Sequence, residues 1–305
     1  MVIGFDTSNY TTSVAWFDGH EGKNQSRLLD VRAGELGLRQ SDALFAHVKR
    51  LPELTRALFD GTERTPICAV GVSSRPRAVE GSYMPCFLAG VSAAETMAAA
   101  LGVPCHRFSH QQGHIAAALW SSGHMELMER PHLAWHLSGG TTELLLVEPE
   151  YKNVHADRIG GTDDISAGQI MDRTGKLLQL QFPAGKALDL LSEQAQNHEK
   201  FKVKTSELKF SLSGLENKIM QYRDKGHSDA DVAYYAVASV CDAVVRTTRD
   251  ALKLYPDYPV VFSGGVASNS MLRSRCREFD PVFAPPQYST DNALGIAVLT
   301  WLQEA

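Results

Sequence analysis

The sequence predicts an α/β protein of two similar lobes with a cleft between them. Three observations point there. Strand-like and helix-like segments alternate along most of the chain. An apolar strand that runs into a hydroxyl- or glycine-rich turn and returns as a strand occurs twice, from residue 2 and again from residue 132. The 305 residues, 44% hydrophobic and 21% charged, are enough to bury a sizeable core in each of two lobes.

In chain order, residues 2–6 and 13–17 are expected to be strands around the polar turn Thr7-Ser8-Asn9-Tyr10, and residues 27–31 a third strand. Residues 41–59 place Leu44, Val48, Leu51, Leu54 and Leu58 at helical spacing, with Pro52 as a point of kink or break. A strand at 68–72, an alanine-rich helix at 87–101, an extended stretch at 103–108 and a helix at 111–120 follow. The opening motif then recurs as strand 132–137, turn Ser138-Gly139-Gly140-Thr141 and strand 142–147. Helices are expected at 165–178, 186–194, 215–222 and 230–254. Strand 260–263, the turn Gly264-Gly265, helix 267–278, strand 282–283 and a last helix at 292–302 complete the series. Ser121-Ser122-Gly123 interrupts the pattern, so the N-terminal lobe is expected at 1–125 and the C-terminal lobe at 126–291. The helical tail within 292–305 is expected to pack back on the first lobe.

Composition excludes several classes. Lys+Arg number 30 against 35 Asp+Glu, a net charge of −5, so a generic electrostatic grip on nucleic acid is not expected. A local basic patch or a basic partner would still permit RNA binding. The five cysteines, Cys68, Cys86, Cys105, Cys241 and Cys276, include no CxxC, which argues against a disulfide framework and a thiolate zinc site. The first residues reach Asp6 without a basic segment, unlike a signal peptide, and no run of about 18–20 apolar residues exists. A cytoplasmic protein with no membrane partner is the expectation.

Five constellations carry chemistry. The turns Asp6-Thr7-Ser8 and Leu137-Ser138-Gly139-Gly140-Thr141-Thr142 combine backbone N–H groups, hydroxyls and glycines, the means by which tight turns hold phosphates. Neither is a P-loop, and the plain alternative is two hairpins with polar turns. Val260 to Asn269 reads as a buried strand ending in Gly264-Gly265 and opening a helix, with Asn269 in the first turn and in reach of a ribose or base. The alternative is a βα turn that needs glycine for packing. His110-Gln111-Gln112-Gly113-His114 sets two imidazoles on one helix face, able to share a metal. Gln111 stands where a zinc protease has its glutamate base, so proteolysis is disfavoured. Asp291 is the candidate third ligand, or else a helix N-cap. Asp163-Asp164 would stabilise a helix start, Asp172 within that helix could accept ribose hydroxyls, and Pro183-Ala184-Gly185 begins a helix whose N-terminus could face a nucleotide. Finally, residues 201–210 interleave lysines with aromatics, and Arg75-Pro76-Arg77 forms a basic cluster able to meet an anionic substrate; a solvated edge or loop is the plainer reading.

Taken in order, a set of motifs resembles the tRNA threonylcarbamoyladenosine transferase family, the glycoprotease-like proteins of the actin, sugar kinase and heat-shock ATPase superfamily. The motifs are Asp6-Thr7-Ser8, His110-x-x-x-His114, Leu137-Ser138-Gly139-Gly140, Asp163-Asp164…Gly168…Asp172, Phe182-Pro183-x-Gly185, Phe210-Ser211…Ser213-Gly214-Leu215, Ser263-Gly264-Gly265-Val266-x-x-Asn269 and Thr290-Asp291-Asn292. The resemblance spans nearly the whole chain. It implies the two-lobed fold of that superfamily, mixed sheets flanked by helices, with nucleotide and metal in the cleft between lobes. It implies that His110, His114 and Asp291 hold one divalent metal, iron or zinc. His136, Leu137, Ser138, Gly139 and Gly140, with Asp172, Gly185 and Asn269, would bind ATP or an adenylate. In that family threonylcarbamoyl-adenylate is the donor, and the N6 amine of an adenosine beside the tRNA anticodon is the acceptor. Association as a homodimer, or as a heteromer with related family proteins, is a further implication. No residue is singled out as acid, base or nucleophile.

The chain also departs from the family pattern. Asn9-Tyr10-Thr11-Thr12 replaces an acidic turn, Ser74-Arg75-Pro76-Arg77 a glycine-rich loop, Thr141 a histidine, Gln169 a glutamate, and Gln111-Gln112 the usual residues between the metal histidines. The metal and nucleotide frames are kept while substrate-facing parts differ, as in a shorter, divergent paralogue. A catalytically silent nucleotide-binding partner of a true transferase is the alternative function. A sugar-kinase-like phosphotransferase ranks last, for want of a catalytic aspartate in a substrate-binding context.

Overall fold

The structure is a computed structural model that describes all of the 305 residues except 9, 31–37, 62–64 and 290. Asn9 of the first turn, the far end of the third expected strand at Val31, and Thr290 therefore lie outside the described residues. The chain divides into two compact units. Unit one comprises Met1–Arg130, Glu148–Ala156 and Asp291–Ala305; unit two comprises Pro131–Val147 and Asp157–Thr290.

Unit one opens with β1 (Val2–Asp6) and β2 (Thr11–Phe17), an antiparallel pair, and β3 (Gly22–Leu28) adds to β2, also antiparallel. All five residues of β1 are buried, which is why it reads as a continuous apolar run. β3 lies at the sheet edge and is polar, with Lys23, Asn24, Gln25, Ser26 and Arg27 in sequence. It starts five residues before the expected strand, because an edge with no buried face gives no hydrophobic alternation. Next come α1 (Gln40–Phe59), β4 (Ala69–Arg75), α2 (Phe87–Leu101), β5 (Cys105–Ser109) and α3 (His110–Ser122). α1 runs unbroken through Pro52. Its buried face includes His47, whose Nδ1 lies 2.8 Å from Thr12 Oγ1, while Val48, one of the apolar residues at helical spacing, is 55% exposed. β4 pairs parallel with both β1 and β5, so the order is β3-β2-β1-β4-β5.

In unit two, β6 (His132–Leu137) and β7 (Thr142–Glu150) repeat the opening antiparallel hairpin. β8 (Asn153–Thr162) follows after the two-residue connection Tyr151-Lys152. This strand was not foreseen: its polar residues and a turn without glycine, made by Lys152 at φ 54°, mask it. The helices are α4 (Ala167–Leu177), α5 (Gly185–Ser192), α6 (Ser213–Asp224) and α7 (Asp229–Leu254). Before α6 the lysine–aromatic stretch forms only two short strands, β9 (Thr205–Ser206) and β10 (Lys209–Phe210). After α7 come β11 (Val260–Ser263), α8 (Ser270–Cys276) and β12 (Val282–Phe283). The single helix expected at 267–278 is instead a 3-10 turn at Gly265–Ser268, α8, and a second 3-10 turn at Arg277–Phe279. The break is Asn269, extended at φ −61° and ψ 130°, whose side chain caps α8. The sheet order is β12-β11-β6-β7-β8-β10-β9, so its first five strands repeat the arrangement of unit one. The core packs β6 against α7: Trp135 is fully buried, and its indole N–H donates to Thr248 Oγ1 at 2.8 Å.

The chain returns to unit one with α9 (Leu294–Glu304). Residues 148–156 belong to unit one as well, fastened by Gln112 Nε2 to Val154 O at 2.8 Å and Gln303 Nε2 to Lys152 O at 3.0 Å. Among the described residues no helix is long and apolar enough to cross a membrane.

The turn after β11 is one of the tightly packed points of unit two. Gly264 has φ 92°, and a Cβ there would lie 2.2 Å from Leu137 O. Gly264→Ala should cost about 3 kcal/mol or more, read as a lowered urea midpoint with the slope unchanged. An unaltered midpoint would refute this packing.

Candidate functional site

Unit one brings two imidazoles and a distant carboxylate together. His110 and His114 are one turn apart at the start of α3, Nε2 to Nε2 at 2.9 Å. Asp291 Oδ1 lies 3.5 Å from His110 Nε2 and 3.3 Å from His114 Nε2. A four-coordinate ion with bonds of about 2.0–2.2 Å sets neighbouring donor atoms about 3.3–3.5 Å apart. The three ligand atoms all fall within 4.8 Å of one another, so the donor set fits one ion. The nitrogens and oxygen suit iron or zinc, and three ligands leave coordination positions for a substrate. The His114 side chain is 4% exposed and Asp291 31%, so the group is buried at His114 and open to solvent at Asp291.

Local structure explains the convergence. Ser109 and Gln112 form a reciprocal capping box that fixes the first turn of α3. Asp291 is not the cap of α9: Asn292 Oδ1 accepts the Leu294 and Gly295 N–H groups instead, leaving the Asp291 carboxylate for the histidines. The two helices meet without intervening side chains, since a Cβ on Gly295 would lie 1.8 Å from Gly113 O.

A fourth residue supports the set. Asp6, at the end of β1 and 1% exposed, accepts from His110 Nδ1 at 2.7 Å and from Ser8 N at 2.8 Å. A carboxylate behind a ligating imidazole fixes its orientation and turns Nε2 outward. Burial disfavours a charged His110, but Asp6 and Asp291 outweigh it and raise its pKa to about 10. Burial likewise opposes ionisation of the two acids. The charge and hydrogen bonds of His110, joined by His114 at Asp291, bring both below the ordinary carboxylate value. Asp6 went unrecognised as a support because the sequence shows it only as part of a turn. The signal was an acid at the end of an apolar strand, in a chain whose HxxxH pair needs an acceptor behind it.

The turn Asp6-Thr7-Ser8 is therefore not an open phosphate cradle. All three residues are buried, and Thr7 Oγ1 donates to Cys86 O at 3.0 Å while accepting from Gly90 N at 3.1 Å. The corresponding turn of unit two differs. Ser138 closes it through Thr141, and Ser166 Oγ donates to Gly139 O at 2.6 Å. A Cβ on Gly139, Gly140 or Gly185 would meet nothing within 4 Å, and none of the three has positive φ. Neither packing nor backbone conformation calls for glycine at these positions.

The remaining predicted residues are held by contacts within unit two. Ser263, just before Gly264, is in register with His136, and Gly264 sits on Leu137. Asp172 accepts the Ala184 N–H at 2.9 Å, fixing the start of α5 beside Gly185. Burial raises the Asp172 pKa against that hydrogen bond. Asn269 is the N-cap of α8 rather than a first-turn residue. Its Oδ1 accepts from Leu272 N at 3.0 Å and its Nδ2 donates to Asp189 at 2.7 Å, leaving one amide hydrogen. Asp164 is no helix cap either, since Ser166 caps α4; it accepts from Thr162, Ile165, Ser211, Leu212 and Ser213 and pins the start of α6.

Two sheets sharing one strand order, each with a turn after its first strand, define the actin, sugar kinase and heat-shock ATPase class. Solved structures agree. The chain is similar to HypF of T. kodakarensis, with TM-score 0.59 and 15% identity, covering 99% of this chain and 47% of that one, so it spans about half of HypF. It is also similar to (R)-2-hydroxyglutaryl-CoA dehydratase component A of Acidaminococcus fermentans, with TM-score 0.60 and 12% identity, covering 99% and 98%. At such identities the likeness is one of fold.

Sequence comparison narrows the class to a family. Residues 37–298 match the family profile of tRNA N6-adenosine threonylcarbamoyltransferase (TsaD). Relatives with that name include one from Sulfurihydrogenibium sp. (strain YO3AOP1), 30% identical over 312 residues and covering 97% of this chain and 88% of the relative. Another, from Streptococcus pneumoniae (strain Taiwan19F-14), is 32% identical over 331 residues, covering 99% and 93%. The chain belongs to the tRNA N6-adenosine threonylcarbamoyltransferase family, whose members are acyltransferases.

Two predictions follow from the geometry. Gly295→Ala, which drives a Cβ into backbone, should reduce affinity for iron or zinc at least about tenfold, by titration calorimetry. Gly113→Ala meets only the flexible end of Ile296 at 2.8 Å and should be milder; equal effects would refute the helix contact. In chelator-treated protein, the Asp6–His110 pair should stabilise the fold fully between about pH 3.8, the ordinary value of the Asp6 carboxyl, and about pH 6.5, with that contribution lost as pH rises through about 10. The difference in denaturation midpoint between wild type and Asp6→Asn should therefore shrink across that rise. A constant difference would refute the ion pair.

Proposed function

We propose that this chain is a metal-dependent threonylcarbamoyltransferase that uses threonylcarbamoyl-adenylate as donor and the N6 amine of a tRNA adenosine as acceptor. The observation that carries the reading is the convergence of His110, His114 and Asp291 in a member of this family. Those three residues would hold one iron or zinc ion, which supplies Lewis acidity toward donor oxygens. Asp6 keeps the His110 imidazole turned to present Nε2. Gly139, Gly140 and Gly185 leave room for the backbone to approach the donor phosphate. The second oxygen of Asp172 would accept ribose hydroxyls, and the remaining amide hydrogen of Asn269 would reach the nucleoside.

The donor is already activated, so the residues chiefly orient it. The acceptor nitrogen attacks the carbamoyl carbon, the bond from that carbon to the phosphate oxygen breaks, and AMP leaves with the electron pair. The acceptor nitrogen loses one proton to solvent. A cytoplasmic location follows from the substrate, and association with related family proteins is part of the same reading.

The test incubates the full chain with Fe(II) or Zn(II), threonylcarbamoyl-adenylate and unmodified tRNA, and reads nucleosides by mass spectrometry. Modified adenosine should form with wild type and not with His110→Ala. Asp6→Asn should weaken metal affinity roughly 10–100-fold. Donor binding without product, with metal bound, would overturn transfer and favour a non-catalytic nucleotide-binding partner.

A further inference from the structure

The basic cluster Arg75-Pro76-Arg77 is tied to the first turn of α3. Ser74 Oγ donates to Phe108 O at 3.2 Å, Arg75 is in register with Ser109 across a bulge in β4, and Pro76 O accepts the Gln111 N–H at 3.1 Å. Arg75 thus pairs with the residue that precedes His110. Beyond it the chain turns at residues 79–82, with Ser82 N donating to Val79 O at 3.2 Å and Arg77 N to Ser82 Oγ at 3.0 Å. Met84 packs on the small cluster of Leu29, Ala43, Cys86 and Phe87, which closes the loop. The loop is therefore fastened at both ends, and between them Arg75 and Arg77 are exposed and Tyr83 is 62% exposed. Among the described residues no ion pair holds the Arg75 guanidinium; Glu80 is the loop's one acid.

Arginines on a fixed backbone suit phosphate, and an exposed aromatic beside them suits an unpaired base. In a chain of net charge −5, such a patch has to be local to attract a polyanion. We infer that residues 75–83 form an RNA-docking loop: Arg75 takes a backbone phosphate of the acceptor, and Tyr83 stacks on an unpaired base near the target adenosine. This rests on tRNA being the acceptor, as proposed above.

The experiment measures binding of an unmodified tRNA transcript to the full-length protein by fluorescence anisotropy across a salt series. Arg75→Gln should weaken binding about fivefold or more and lower the slope of log affinity against log salt by about 0.7, the value for one phosphate. Arg75→Lys should keep the slope. Tyr83→Ala should weaken binding about fivefold or more with little change in slope, and Tyr83→Phe should bind as wild type. Wild type and Arg75→Gln binding RNA with equal affinity and slope would overturn the loop while leaving the transferase reading intact. Retained RNA binding with lost threonylcarbamoyl-adenylate affinity in Arg75→Gln would also overturn it, assigning the arginine to the donor. No RNA binding by wild type would overturn the loop and the acceptor together.

Discussion

The site in unit one depends on the backbone-to-backbone contact of α3 and α9. With Gly295 pressed on Gly113 O, no side chain separates the helices. His110 and His114 flank Gly113 on α3, and Asp291 lies one turn before Gly295 on the lead-in to α9. Helices packed through larger side chains run about 8–10 Å apart. A carboxylate on such a lead-in would fall short of 3.3 Å from an imidazole. The contact sets the spacing of the three candidate ligands.

The repeated sheets show how one arrangement was put to two uses. In both units the first strand ends in a turn, and a parallel strand lies beside it. In unit one the turn is buried and its groups are spent internally: Asp6 on His110 and Ser8, Thr7 on Cys86 and Gly90. In unit two the glycines of the turn face open space. The same topology thus carries a buried, internally bonded turn in one copy and a turn with open glycines in the other.

The architecture was largely legible because buried parallel strands and amphipathic helices leave strong periodic signals. β11 and β12 fell at their expected residues, and α2 ran from Phe87 to Leu101 as read. What failed lacked such signals. β3 and β8 are polar, and the break at Asn269 depends on a side-chain cap that mimics a first-turn residue. At the site, the HxxxH spacing and the terminal aspartate could be named from residue type. The Asp6–His110 hydrogen bond could not, because it joins positions 104 apart that only the sheet brings together. The glycine contact was hidden for the same reason.

Charge explains why anion recognition would be divided between places. Asp291 among the ligands and Asp6 behind His110 supply two negative charges. Together they offset the charge of a divalent ion, so such a centre is close to neutral once loaded. A neutral centre orders donor oxygens by coordination but exerts little long-range pull. A polyanionic acceptor then has to be drawn by charges that the acids do not cancel. Arg75, exposed at the end of β4 and in register with Ser109, is such a charge, and it stands where the family pattern has glycine. On the proposed reading, the more fully Asp6 and Asp291 neutralise the ion, the more the recruitment of RNA falls to exposed charge such as Arg75.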